Sequence, residues 1–399
     1  MTSYRRPLIF VTILFFLFGL ITCLNDILIP HLRGLFTLNY TQAMLVQVCF
    51  FSAYFFMSIP SGRLTLKKGY RFGIVAGLGI AGLGTLGFLP AAQMGSYALF
   101  LISLFILASG ITLLQVAVNP YVTLLGAPEK SAFRLNLVQA FNSVGTTIAP
   151  LLGSILILES ENKVTGVQIP YLTLTIALAV VAVVFSKIPL PELQEETTET
   201  PAQSSWSEVL HNYLLAMKNH PHLILGMLAI FCYVGAEVSI GSFLVSWLGD
   251  PNVAGIPHEL AGRYVSFYWG GAMIGRFVGS LLTAKFKPSQ VLISSLVIIL
   301  ALISVAVIFY GPGISMWAII AVGLFNSIQF PTIFSMSVSG LGKDTPYASG
   351  LLCTCIVGGA LIPLLQGVSA DLVDLRFSFI IPFICYLYIL LVANKLEKK

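Results

Sequence analysis

Twelve runs of mostly apolar residues, parted by short polar stretches, fill this chain. Each is near the roughly 20 residues a helix needs to cross a bilayer. They cover residues 7–31, 41–62, 71–90, 97–124, 132–158 and 169–187, then 221–248, 259–284, 289–311, 314–340, 346–370 and 376–396. The chain is 57% hydrophobic and only 9% charged, against about 25% charged residues in a soluble domain. It is therefore predicted to be an all-α membrane protein of twelve transmembrane helices. Met1–Pro7 is too short and polar for a separate signal peptide and no small-residue cleavage site follows, so the first run is expected to remain as a helix.

An even number of spans puts both termini on one side. Arg5, Arg6, Lys67, Lys68, Arg71, Lys130, Arg134, Lys285, Lys287, Lys343, Lys395, Lys398 and Lys399 fall there, which marks that side as cytoplasmic by the positive-inside rule. The expected location is a bacterial inner membrane. The net charge of +5 does not point to nucleic acid, because the basic residues sit in short loops beside apolar runs. Cys23, Cys49, Cys232, Cys353, Cys355 and Cys385 all lie inside apolar runs, as small buried hydrophobes rather than a disulfide framework or metal site.

Residues 188–220 interrupt the pattern. Pro189 and Pro191 open the stretch, and Glu192, Glu195, Glu196 and Glu199 follow among Thr and Ser, which is linker composition. Residues 205–219 read as a short helix on the membrane surface. The predicted organisation is a six-helix bundle over 1–187, a cytoplasmic linker over 188–220 and a second six-helix bundle over 221–399. A sparse repeat supports it: Asp26 and Glu237, Gln115 and Asn326, and Pro120 and Pro331 are each 211 residues apart. Parallel six-helix repeats are the architecture of major facilitator transporters.

Asp26 is the residue that asks for a function. It is a lone charge in the first apolar run, and a carboxylate at membrane depth costs several kcal/mol. A purely structural carboxylate would need a basic partner, and no Lys or Arg lies mid-span in the first half. Helical spacing puts Thr22, Asn25 and Asp26 on one face. Gln115 and Asn119 are four apart, just before Pro120; Gln139, Asn142 and Thr146 are spaced three and four apart on the fifth span. Glu237 and Tyr233 are one turn apart on the seventh, Trp269 is on the eighth, and Asn326 and Gln329 precede Pro331 on the tenth. Each amide taken alone also fits helix-to-helix hydrogen bonding. As a group they suit sugar hydroxyls, since an amide both donates and accepts, and Trp269 suits the apolar face of a pyranose. Pro120 and Pro331 each remove a backbone donor and free a carbonyl, which fits either a cavity-lining break or a packing kink. Arg276, near the cytoplasmic end of its span, fits a gate or loop contact better than a substrate contact.

Other motifs carry little. Gly77-x-Gly79-x-x-Gly82 lies within an apolar run with no strand before it, so it marks close helix packing and not a dinucleotide site. His220 and His222 read as solvated loop residues. Asn39-Tyr40-Thr41 is a glycosylation sequon only in a eukaryotic secretory pathway. No Walker motif is present, so ATP is not the direct energy source, and no nucleophile–base pair or metal cluster suggests an enzyme.

The segment Gly62-Arg63-Leu64-Thr65-Leu66-Lys67-Lys68-Gly69-Tyr70-Arg71 resembles the loop signature between spans 2 and 3 of major facilitator proteins, with Leu66 in place of the usual Asp and Tyr70 in place of a basic residue. A closer resemblance, over nearly the whole chain, is to the fucose permease and glucose/galactose transporter family. It is carried by Cys23-Leu24-Asn25-Asp26-Ile27-Leu28-Ile29-Pro30, Gln115-Val116-Ala117-Val118-Asn119-Pro120 and Arg134-Leu135-Asn136-Leu137-Val138-Gln139-Ala140-Phe141-Asn142-Ser143. Phe330-Pro331-Thr332-Ile333-Phe334 and Ser349-Gly350-Leu351-Leu352-Cys353 add to it. The resemblance implies a cation-coupled sugar symporter working by alternating access as a monomer, with no cofactor besides the co-transported ion. Proton-coupled fucose permeases pair the span-1 Asp with a span-4 Glu. Here Asp26 matches the first and Gln115 stands at the second. An amide carries no proton but offers an oxygen to a hard cation, so Na⁺ is favoured over H⁺. Asp26 is then the charged Na⁺ ligand, with Thr22, Asn25, Gln115 and Asn119 beside it. Gln139, Asn142, Glu237, Trp269, Asn326 and Gln329 are the expected contacts to a neutral hexose, glucose or galactose. The rival readings are a proton-coupled symporter, an uncoupled facilitator and a membrane sugar sensor.

Overall fold

The computed structural model describes residues 5–36, 40–153, 163–188 and 206–396. Of the side chains at 23–36 and 40–45, Asn25 and Asp26 among them, nothing is described; the helix backbone runs through both. The described residues are almost wholly helical. In chain order the α-helices are α1 (Arg5–Phe36), α2 (Tyr40–Met94), α3 (Tyr97–Leu124), α4 (Ser131–Gly153), α5 (Lys163–Lys187), α6 (Trp206–Asn219), α7 (Pro221–Gly249), α8 (His258–Lys285), α9 (Pro288–Ile308), α10 (Ile314–Asn326), α11 (Gln329–Val338), α12 (Thr345–Thr354), α13 (Gly358–Leu372), α14 (Leu375–Ser378) and α15 (Ile380–Leu396).

Every span expected from the sequence has a helix or a helix pair here. Spans 2 and 3 run together as α2, because the basic segment between them stays helical up to Lys68. Arg and Lys are good helix formers. The chain turns only at Gly69, whose φ of 81° suits a residue without Cβ. Span 10 is divided into α10 and α11 at Ser327 and Ile328, just ahead of Pro331. Pro120, in contrast, sits inside an unbroken α3. Residues 206–219 form α6, the short helix expected over 205–219.

Burial ranks the spans. Among the candidate spans with described side chains, an 18-residue apolar stretch is 83% buried in Ile314–Val338 and 67% buried in Tyr97–Leu124, against 28% in Thr165–Lys187. The two most enclosed of these spans are thus the pair that carries the amides and prolines 211 residues apart. At the other extreme, α5 exposes Ile169, Ile176, Val180 and Val183, an apolar surface that water would not tolerate and a bilayer would cover.

The described residues fall into two compact units. One comprises Met1–Gly126, Phe141–Asn219 and Leu341–Thr354; the other comprises Ala127–Ala140, His220–Gly340 and Cys355–Lys399. These units interleave the two sequence halves. In the first, α2 packs on α3 and α5, where Phe88 meets Tyr171 at 4.5 Å between ring centroids, and α12 joins α2, α3 and α6. In the second, α7 packs on α13 and α15, and α10 on α8 and α9. Its first segment is tied in by Asn136, whose amide donates to Thr332 Oγ1 of α11 at 3.2 Å. Close to the end of α7, Asp250 accepts from the Tyr310 hydroxyl at 2.6 Å and from the Asn252 backbone N–H at 2.8 Å.

Candidate functional site

In α3 the two amides lie one turn apart on a mostly buried helix. Gln115 donates through Nε2 to the Tyr54 hydroxyl at 3.0 Å, while its Oε1 has no hydrogen-bond partner among the described residues. Asn119 is fully buried, and neither its oxygen nor its nitrogen has such a partner. A buried polar atom left unpaired costs about 1–3 kcal/mol, so three on adjacent turns form a place that calls for a ligand or a further polar group. Gln115 also lines a small cavity of about 20 Å³ with Leu14, Phe15, Phe18, Leu114 and Val118, the size of a single water-scale occupant. Thr22 of α1 spends its hydroxyl on the carbonyls of Phe18 and Gly19, both at 3.1 Å. Asn25 and Asp26, the other expected members of the group, lie outside the described side chains.

The fifth-span pair is divided between the units. Gln139 belongs to the second and Asn142 to the first. Both are buried. Asn142 donates to the Phe15 carbonyl of α1 at 3.0 Å, a bond across two helices that a sequence cannot announce.

The second unit holds a polar core of its own. Glu237 of α7 faces Arg276 of α8, with Oε1 3.8 Å from Nη2 and both side chains little exposed. At that distance the pair is coulombic rather than hydrogen-bonded. Arg276 also donates through Nε to the Ser327 carbonyl at 3.1 Å. Asn326 is saturated on both sides: its nitrogen donates to the Tyr268 hydroxyl at 3.3 Å and its oxygen accepts from Tyr386 at 2.8 Å. Gln329 donates to Ser295 Oγ at 3.0 Å, and its oxygen has no hydrogen-bond partner among the described residues. Trp269 packs edge-on against Tyr268, at 5.2 Å, and keeps 39% of its surface exposed.

Several partners were not visible in the sequence reading. Arg276, expected to make a gate or loop contact, is the counter-charge of Glu237; an Arg and a Glu on different spans were the available signal. Tyr54, Tyr268 and Tyr386 offered none, since an aromatic in an apolar run looks like packing.

The Major Facilitator Superfamily profile matches residues 10–362. The chain belongs to that superfamily. It is a multi-pass membrane transporter, not an enzyme. It is 49% identical over 393 residues to the glucose/galactose transporter of Brucella abortus biovar 1 (strain 9-941), covering 97% of this chain and 93% of that one. It is 35% identical over 414 residues to the L-fucose-proton symporter of Escherichia coli K12, covering 98% and 93%. The crystal structure of the superfamily transporter FucP in its outward conformation is similar throughout, with a TM-score of 0.91 and 34% identity over the full length of both chains.

Proposed function

We propose that this protein imports a neutral hexose, glucose or galactose, together with a cation, by alternating access of two six-helix halves (1–187 and 221–399) joined by the linker 188–220. The sugar class is supported by the names of the relatives at 49% and 35% identity. Symport rather than passive passage is supported by the fucose relative's name and by Asp26, a carboxylate in the first span. Both termini lie on the cytoplasmic side in this reading, following the basic loops.

The observation that carries the ion is the set of unpaired oxygens on α3. Gln115 Oε1 and Asn119 Oδ1 are buried, neutral and without hydrogen-bond donors among the described residues. Neutral amide oxygens suit a hard cation, and an amide at 115 cannot take up a proton. Na⁺ is therefore preferred to H⁺, with Asp26 as its charged ligand and Thr22 and Asn25 beside it. The sugar is read by Gln139, Asn142, Trp269 and Gln329. Glu237 and Asn326 are each already engaged by neighbouring side chains.

Purified protein in liposomes, with Na⁺ and pH gradients imposed separately, tests this. Uphill uptake of glucose or galactose under the Na⁺ gradient alone is expected. Equal flux with no gradient dependence would identify a facilitator. Uptake driven by the pH gradient alone would identify a proton symporter.

A further inference from the structure

The linker ends in α6, and nothing in the transport site uses that helix. Val209, Tyr213 and Ala216 form its buried stripe, each no more than 3% exposed, while Leu210 and Leu214 point outward. Tyr213 is the centre of the stripe. Its hydroxyl donates to the Ile59 carbonyl of α2 at 2.9 Å. Its ring stands edge-on to Tyr347 of α12, 5.0 Å away, and the neighbouring Asn212 reaches the Tyr347 hydroxyl at 3.4 Å. Two glycines make room for it. A Cβ on Gly62 would lie 2.3 Å from the Tyr213 oxygen, and one on Gly350 would lie 3.0 Å from it. One phenol therefore occupies a notch formed jointly by α2, from the first sequence half, and α12, from the second.

We infer that Tyr213 is a positioning residue of the transport cycle: a latch that holds α2 against α12 and must leave its notch before the two helices part. This rests on the reading that the halves move against each other. A linker that only tethered the halves would need no buried aromatic, no hydrogen bond to backbone and no paired glycines. Here the linker carries a side chain that sees whether α2 and α12 are together. The hydroxyl's partner is on α2 and the ring's is on α12, so the phenol cannot keep both when they separate, and the latch favours the closed arrangement of this pair.

The native Cys353 reports on the notch. It lies on α12, three residues past Gly350, and is fully buried. The experiment measures its rate of modification by a membrane-impermeant maleimide in the purified full-length protein, with Cys385 of the other unit, also buried, as internal reference. Tyr213→Phe removes only the hydrogen bond and is expected to raise the Cys353 rate about threefold to tenfold, the range one such bond supplies. Tyr213→Ala is expected to raise it further, with Cys385 unchanged. Gly62→Ala should raise the rate more in the presence of Tyr213 than in the Tyr213→Ala background, because its closest clash, at 2.3 Å, is with that phenol, while a looser one, 3.0 Å from the Pro346 carbonyl, remains in both. An unchanged Cys353 rate in folded Tyr213→Phe and Tyr213→Ala would overturn the latch, as would an equal rise at Cys385. The labelling needs neither sugar nor cation. Failure of the wild type to transport any hexose would therefore sink the proposed function and leave this result standing.

Discussion

The hydroxyl of Ser349 donates to the carbonyl of Val116 at 2.8 Å, and that carbonyl is the one Pro120 leaves without its helical donor. The second half repeats the arrangement. Pro331 strips the donor from the Ser327 carbonyl, and Arg276 Nε fills the gap at 3.1 Å. Val116 and Ser327 are 211 residues apart, as are the two prolines. The repeat that was sparse in letters is thus repeated as backbone chemistry. In each central span a proline exposes a carbonyl, and a side chain from another helix captures it. The consequences differ. α3 stays continuous through Pro120, whereas the tenth span divides into α10 and α11.

Ser349→Ala should therefore cost about 1–3 kcal/mol, the penalty for a buried carbonyl with no donor. Pro120→Ala should remove most of that penalty in the Ser349→Ala background, because residue 120 then supplies its own N–H to Val116. The double-mutant cycle is read from thermal midpoints of the detergent-purified protein. Strict additivity of the two substitutions would show that the Ser349 contact does not answer the proline.

The equivalent cycle in the second half should not close. Arg276 serves both the Ser327 carbonyl and Glu237, so Arg276→Met strands a carboxylate as well as a carbonyl. Removing one member of a buried ion pair costs about 3–5 kcal/mol, and the slight exposure of both groups trims this toward the lower end. Pro331→Ala can restore only the carbonyl. Arg276→Met with Glu237→Gln should recover more stability than Arg276→Met with Pro331→Ala. The reverse order in thermal midpoints would place the Ser327 contact above the Glu237 pairing.

The elements were legible because apolar run length and breakers act locally. The run 221–248 corresponds to α7, and Pro331 marks the break in its span. The neighbours were not legible. Nothing in Ser349, a small polar residue among Gly, Ala and Leu, announces that it serves a carbonyl 233 residues away. Asn142 was recognisable as a polar position on the fifth span, yet its bond to the Phe15 carbonyl depends on how α1 lies against α4. The interleaved units follow the same logic. Residues 127–140 group with the second half and 341–354 with the first, which hydrophobic patterning cannot encode, since it says which residues are buried and not against what.

Asp26→Asn should abolish uphill accumulation of sugar while leaving sugar binding and exchange measurable. The amide keeps the shape of the carboxylate and much of its hydrogen bonding, but it removes the charge that a co-transported cation would meet. Uptake against a gradient is measured beside counterflow of labelled sugar in the same liposomes. Accumulation at the wild-type level would take the coupling role away from Asp26.

The two α3 amides supply the sharpest test of the ion. In the proposed site, with Gln at 115, the neutral oxygens of Gln115 and Asn119 would meet Na⁺ beside one carboxylate, Asp26. Sugar affinity should rise with Na⁺ at fixed pH and ionic strength, and Na⁺ affinity should rise with sugar by the same factor, because linkage is reciprocal. Asn119→Ala should weaken that factor by removing one ligand oxygen, without changing its pH dependence. Gln115→Glu adds a second carboxylate facing the same ion. In its ionised form it should strengthen Na⁺ binding, and protonation competes with the cation, so the gain should fade as pH drops through the new group's pKa. Titrating sugar affinity with Na⁺ against choline, at several pH values, reads all three variants. If exchanging Na⁺ for choline leaves wild-type affinity unchanged while a pH gradient alone drives uptake, the ion is the proton and the α3 oxygens serve the sugar instead.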